Sequence, residues 1–120
     1  MAIRVVVIDD HPLLLNSLVR VLDGEDDIEV VGTATSIEAG VDATHDHRPD
    51  VIVLDDGLPA RDGVDAQACV RIACPDATVI LLTAPNTDQD DTTTSTGRRT
   101  LDKTLAIDEL ASSIRAAVSA

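Results

Sequence analysis

Four short runs of aliphatic and β-branched residues in this chain end on residue types that handle hard cations or phosphate. Ile3 to Ile8 is followed by Asp9 and Asp10, Val51 to Leu54 by Asp55 and Asp56, Thr78 to Leu82 by Thr83, and the weaker run Thr100 to Asp102 by Lys103. Brought together, three or four carboxylates repel by about 4 kcal/mol per pair at about 4 Å and an effective dielectric of about 20, unless a cation sits among them. Carboxylate oxygens select a hard ion. Mg2+ is the expected one, because it takes one or two carboxylates with carbonyl and water oxygens and keeps positions free for a phosphate.

These ends meet if the runs are parallel strands, because in open α/β sheets the working site lies at the carboxyl ends of the strands. The chain alternates such runs with stretches of helical period, the pattern of a parallel sheet covered by helices on both faces. Five strands are expected, at Ile3 to Ile8, Ile28 to Ala34, Val51 to Leu54, Thr78 to Leu82 and Thr100 to Asp102. Pro12 suits a first helical position, and Leu14, Leu15, Leu18, Val21 and Leu22 make an apolar stripe behind it. Ser36 opens a second helix that runs to about His47, with Ile37, Val41 and Ala43 or Thr44 as its stripe. Val64, Ala68, Val70, Ile72 and Ala73 predict a third helix that stops before Pro75, and Ile107, Leu110, Ala111, Ile114 and Val118 predict the last. The right-handed crossover rule makes a single doubly wound five-stranded sheet the natural topology. Asn86 to Gly97 does not fit, because a helix is due there and the segment has no aliphatic residue, so a frayed or disordered stretch is expected.

Composition excludes several classes. The chain has 120 residues, is 44% hydrophobic and carries a formal charge of -13, which fits one folded domain with an all-aliphatic core, since Phe, Tyr and Trp are absent. Nine basic residues against twenty-two acidic ones, with no aromatic for base stacking, argue against direct nucleic-acid contact and against an anionic membrane surface. The opening MAIRVVVIDDHP fits neither a signal peptide nor a spanning helix, so a cytoplasmic protein is expected. Cys69 and Cys74 fall on different faces of a helix and read as reduced thiols. His11, before Pro12 at a helix start, reads as a structural or solvated residue, and His45 and His47 near a helix end read as incidental.

The motifs VVVIDDHPLLLNSL and RPDVIVLDDGLPARDG resemble the receiver domain of two-component response regulators, of CheY-like fold and of the NarL/FixJ branch. The resemblance covers nearly all of the chain, residues 1–120 reading as one receiver domain, and implies a sheet of order 2-1-3-4-5. It implies that Asp55 is the phosphoacceptor, Asp10 a direct Mg2+ ligand, Asp9 a ligand through water and the carbonyl of Gly57 a further ligand. Thr83 matches the hydroxyl that contacts the phosphoryl group, and Lys103 the lysine that pairs with Asp55 and then with the phosphoryl oxygens. A histidine kinase is the implied donor, a homodimer a possible assembly, transcription the implied output, and turnover catalysis is not implied. Physical chemistry supports these roles. A carboxylate attacking phosphorus brings two anions together, and the transition state needs a metal and a cation to spread charge over the equatorial oxygens. Lys103 is the sole lysine, and a compact ammonium enters a small phosphoryl pocket where a forked guanidinium is bulky. Singly, each residue could be a solvated turn, a strand end or a surface charge; four strand ends carrying four suitable types support the joint reading.

The chain also departs from the family pattern. Asp56 adds a carboxylate beside Asp55, which hinders phosphoryl attack unless it points to solvent. Thr100 stands where many receivers have an aromatic read-out residue, and the stretch from Thr83 to Lys103 is a couple of residues short. No helix-turn-helix follows the last receiver helix, so the output domain is expected to be cut away or the regulator to be single-domain. The alternative is a phosphorylation-independent dimerisation or ligand-sensing module. A haloacid-dehalogenase-type phosphatase is disfavoured, because its motif needs a second Asp where Gly57 stands.

Overall fold

Strands buried on both faces need apolar side chains at every position, and that is how the central runs of this chain are used. The computed structural model describes residues 2–58, 66–83, 99–102 and 106–119. Its elements run β1 (Ile3–Ile8), α1 (Pro12–Asp23), β2 (Ile28–Ala34), α2 (Ile37–His47), β3 (Val51–Asp55), α3 (Ala66–Ala73), β4 (Thr78–Thr83), β5 (Arg99–Asp102) and α4 (Ala106–Ser119). All strand pairs are parallel, in the order β2-β1-β3-β4-β5, as expected. The polar segment 86–97 lies outside the described residues, as does Val64.

Alternation along each strand divides the interior in two. Val5, Val7, Val53, Ile80 and Leu82 face α1 and α4, where Leu15, Leu18, Leu22, Leu110 and Ile114 complete one core cluster. Val6, Ile8, Ile52, Leu54, Val79 and Leu81 face the other way, toward Ile37 of α2 and Ala66 and Val70 of α3. Between Val5 and Val6 the β1–β2 register shifts, Val30 pairing with Val5 and Gly32 with Val6, so Val31 is an extra residue in β2.

The helix stripes differ from expectation in places. In α2 the buried residues are Ile37, Gly40 and Thr44, with Val41 and Ala43 partly buried. Gly40 belongs there because a Cβ on it would lie 2.6 Å from Ile8 Cδ1 and 3.0 Å from Cγ1 and Cγ2, so the missing side chain lets α2 approach β1. Ile72, one of the residues that predict this helix, is exposed on α3, and Ile107 and Val118 of α4 are exposed while Ala117 is buried. Ser36 Oγ accepts from the Ala39 N–H at 3.2 Å and caps α2, and the Arg4 guanidinium donates to the His47 carbonyl at 2.6 Å at its other end. Arg48 then leaves the helix in the left-handed region, at φ 48.

Arg115 ties α4 to the turn after α1. It donates to Asp27 through Nε at 2.8 Å and through a terminal nitrogen at 2.9 Å, and to Glu25. The guanidinium hydrogen bond holds the Asp27 carboxyl below its ordinary 3.8, and the same partners raise Arg115. A depressed carboxyl contributes stability above its unfolded value and loses it as pH falls through the folded one. The urea-midpoint gap between wild type and Arg115→Ala is therefore expected to hold from about pH 7 to about pH 5 and to shrink below 3.8. A gap that persisted unchanged in strong acid would mean that the tie does not act through Asp27.

Candidate functional site

Two of the chain's acidic residues are buried at the carboxyl end of the sheet. Asp9 follows β1, its N–H donating to the Ala34 carbonyl of β2 at 3.0 Å, and its side chain is 0% exposed. Asp55 is the last residue of β3, in register with Leu82 of β4, and is 1% exposed. The sequence reading placed Asp55 and Thr83 just beyond their strands. Both lie inside them, because the parallel ladder continues one residue past the aliphatic run, to Asp55↔Leu82 and Thr83↔Asp102. Asp10, 44% exposed, stands on the turn between β1 and α1 beside this pair.

One ligand atom from each of Asp9, Asp10, His11 and Asp55 can be chosen so that all lie within 4.8 Å of one another. Asp9 Oδ1 accepts from the His11 N–H at 2.9 Å, and Asp55 Oδ1 from the Gly57 N–H at 2.9 Å. Asp9 Oδ2 is buried with no hydrogen-bond partner among the described residues, a costly state for a carboxylate oxygen and one that an oxygen-seeking cation relieves. The donor set therefore fits a hard divalent ion. Gly57, singled out for its carbonyl, is seen here using its amide to hold Asp55.

His11 was not expected here. Its Nδ1 lies 2.9 Å from Asp9 Oδ1, 3.2 Å from Asp10 Oδ1 and 3.5 Å from Asp55 Oδ2. As the N-cap of α1, in extended conformation before Pro12, it turns its ring back over the carboxylates. The available signal was its place directly after the Asp pair. Thr83, half-buried, ends the strand beside β3. Asp56 is exposed, with its N–H donating to the Leu82 carbonyl at 2.9 Å, so water screens its charge. Thr100 pairs with Leu81 in β5, and Lys103 lies outside the described residues. Next to the cluster, a cleft of about 440 Å³ is lined by Asp10, His11, Pro12, Leu13 and Leu14, with Leu13 exposed. Among the described residues no helix is long and apolar enough to cross a membrane.

The chain is similar to known proteins in sequence and in fold. The family model for the response regulator receiver domain matches residues 5–115. The transcriptional regulatory protein MctR of Rhizobium johnstonii is 40% identical over 80 residues, 67% of this chain and 37% of MctR. The probable transcriptional regulatory protein NarL of Mycobacterium tuberculosis is 39% identical over 82 residues, 68% of this chain and 38% of that protein. The chain thus spans well under half the length of these curated relatives. The crystal structure of a response regulator receiver domain protein from Clostridium thermocellum superposes with a TM-score of 0.80 at 27% identity, covering 99% of this chain and 95% of that one. An acidic pocket at the carboxyl end of a 2-1-3-4-5 parallel sheet, matched by a family model along almost its whole length, places this chain in the response regulator receiver domain family.

Proposed function

We propose that this receiver is a phosphorylation switch, in which Asp55 accepts a phosphoryl group from a histidine kinase with Mg2+ bound beside it, and the output is transcription. The observation that carries this reading is the convergence of Asp9, Asp10 and Asp55 on one point at the carboxyl end of the sheet, two of them buried and Asp10 exposed. Asp9, Asp10 and Asp55 are the side chains that would hold Mg2+, together with the carbonyl of Gly57. The ion supplies positive charge against the two anions that must meet. One carboxylate oxygen of Asp55 attacks phosphorus, and the bond between phosphorus and the donor nitrogen breaks as the new one forms. The Gly57 N–H fixes Oδ1, so that one rotamer of the nucleophile is held. Thr83 and Lys103 take the transferred oxygens in this reading.

A donor protein must bring its phosphorylated side chain to Asp55 and cover what surrounds it. The exposed Leu13 and the apolar cleft behind Asp10 offer a surface it can bury. The acidic balance disfavours DNA contact by this domain, so the DNA contact of the output is assigned to another part of a longer regulator; the proposed setting is the cytoplasm.

Intact-protein mass spectrometry after incubation with acetyl phosphate and Mg2+ tests the proposal. Wild type is expected to gain one phosphoryl group and Asp55→Ala none. No adduct on wild type, under conditions that label an ordinary receiver, would leave a phosphorylation-independent dimerisation or ligand-sensing module as the function.

A further inference from the structure

The geometry points to His11 as a nitrogen ligand of the cation at this site, so that the pocket prefers first-row transition dications to Mg2+. The inference rests on the cation reading above but not on phosphoryl transfer. A single N–H serves one acceptor well, yet Nδ1 lies within 3.5 Å of oxygens from three different carboxylates, at 2.9, 3.2 and 3.5 Å. The nearest of these, Asp9 Oδ1, already accepts the backbone N–H of His11. Neighbouring ligands of a six-coordinate ion with bonds of about 2.1 Å stand about 3.0 Å apart, close to the spacing around Nδ1. One ion could therefore contact all four groups, whose ligand atoms lie within 4.8 Å of one another. It would also take up Asp9 Oδ2, which is fully buried with no hydrogen-bond partner among the described residues.

The donor set sets the preference. Three carboxylates alone suit Mg2+, Ca2+ and Mn2+, whereas adding an imidazole favours ions further along the first transition row, which bind nitrogen more strongly. To ligate through Nδ1 the ring keeps its proton on Nε2, and in a side chain 60% exposed that N–H can donate a hydrogen bond to water. His11 is held at the site by the chain itself. Pro12 starts α1 directly behind it, and the Asp9 carboxylate holds its amide, so ligation needs no change of backbone.

The test uses Mg2+, Mn2+ and Ni2+ as probes on the full chain. His45→Ala and His47→Ala are combined first, leaving His11 as the single imidazole of the three in the chain. In that background, titration calorimetry is expected to show Ni2+ binding at least about tenfold tighter than Mg2+, and His11→Ala to weaken Ni2+ by about tenfold or more while leaving Mg2+ within about twofold. Electron spin echo modulation of the Mn2+-loaded protein should show a coupled nitrogen, which His11→Ala removes. His11→Gln serves as a second variant with the ring's polarity partly retained, and circular dichroism checks both folds. Absence of nitrogen coupling, or equal losses for Mg2+ and Ni2+, would overturn the assignment. If Mg2+ still bound and still depended on Asp10, only the role of His11 would fall. If none of the three ions bound the parent protein, the cation reading itself would fall with it.

Discussion

Asp10→Asn is expected to slow the labelling of Asp55 by acetyl phosphate at least about a hundredfold, the loss typical when one preorganised charge partner of a transition state is removed. The substitution keeps the shape and takes away one of the negative charges that hold the cation. Asp10 is 44% exposed on the turn after β1 and packs in neither core cluster, so the fold should survive it. Removing one of several crowded carboxylates should even raise the thermal midpoint by a few degrees. Raising Mg2+ well above its ordinary concentration should recover part of the lost rate, since weaker ion binding is offset by mass action. Labelling at the wild-type rate would show that Asp10 does not hold the ion. Unchanged labelling at zero Mg2+ in wild type would dispense with the ion altogether.

Gly40→Ala should destabilise the protein by about 1–3 kcal/mol, the usual cost of forcing a methyl into a packed interior. Helix propensity pulls the other way, because Ala is favoured over Gly by about 1 kcal/mol in a helix interior. Packing wins here. The new Cβ would lie 2.6 Å from Ile8 Cδ1 with two further Ile8 carbons nearer the backbone at 3.0 Å, and Ile8 is fully buried in its cluster. Ile8→Val removes Cδ1, so the double variant Ile8→Val, Gly40→Ala should be more stable than the sum of the two single changes predicts. Urea unfolding of the four proteins gives the coupling directly. Strict additivity would mean that α2 shifts away from β1 rather than pressing on Ile8.

The contrast between these two sites shows what a sequence reader can and cannot reach. Asp9, Asp10 and Asp55 were legible because each follows an aliphatic run, and parallel strands bring such ends together whatever the details of packing. The strands themselves were legible for the same reason, with β1 and β2 falling on their expected bounds. Where a strand stops was less so: pairing with a neighbour carried β3 and β4 one residue further, through Asp55 and Thr83, and hydropathy does not register pairing. Gly40 left no trace, since its meaning lies in Ile8, far away along the chain and adjacent only after folding. His11, read as structural or solvated, is the N-cap of α1 and 60% exposed, and only the contact of its ring with the carboxylates was hidden, for a related cause. Its neighbours in sequence suggested a solvated helix start, while the direction of its ring is decided by how the extended N-cap turns over the carboxylates. Ile72, counted among the apolar residues that predict α3, lies exposed on it.

The division of the interior by the sheet has a consequence for how this domain can vary. Val5 and Val6 are chain neighbours but belong to different cores, one closed by α1 and α4 and the other by α2 and α3. Backbone, not side chain, separates them, so a methylene lost on one face cannot be refilled from the other. Each face is thus a repacking problem of its own. Pairs of substitutions drawn from opposite faces should combine almost additively, and pairs within one face should not. A lineage could therefore exchange the residues under α1 and α4 in one epoch and those under α2 and α3 in another, the acidic pocket at the end of the sheet belonging to neither set.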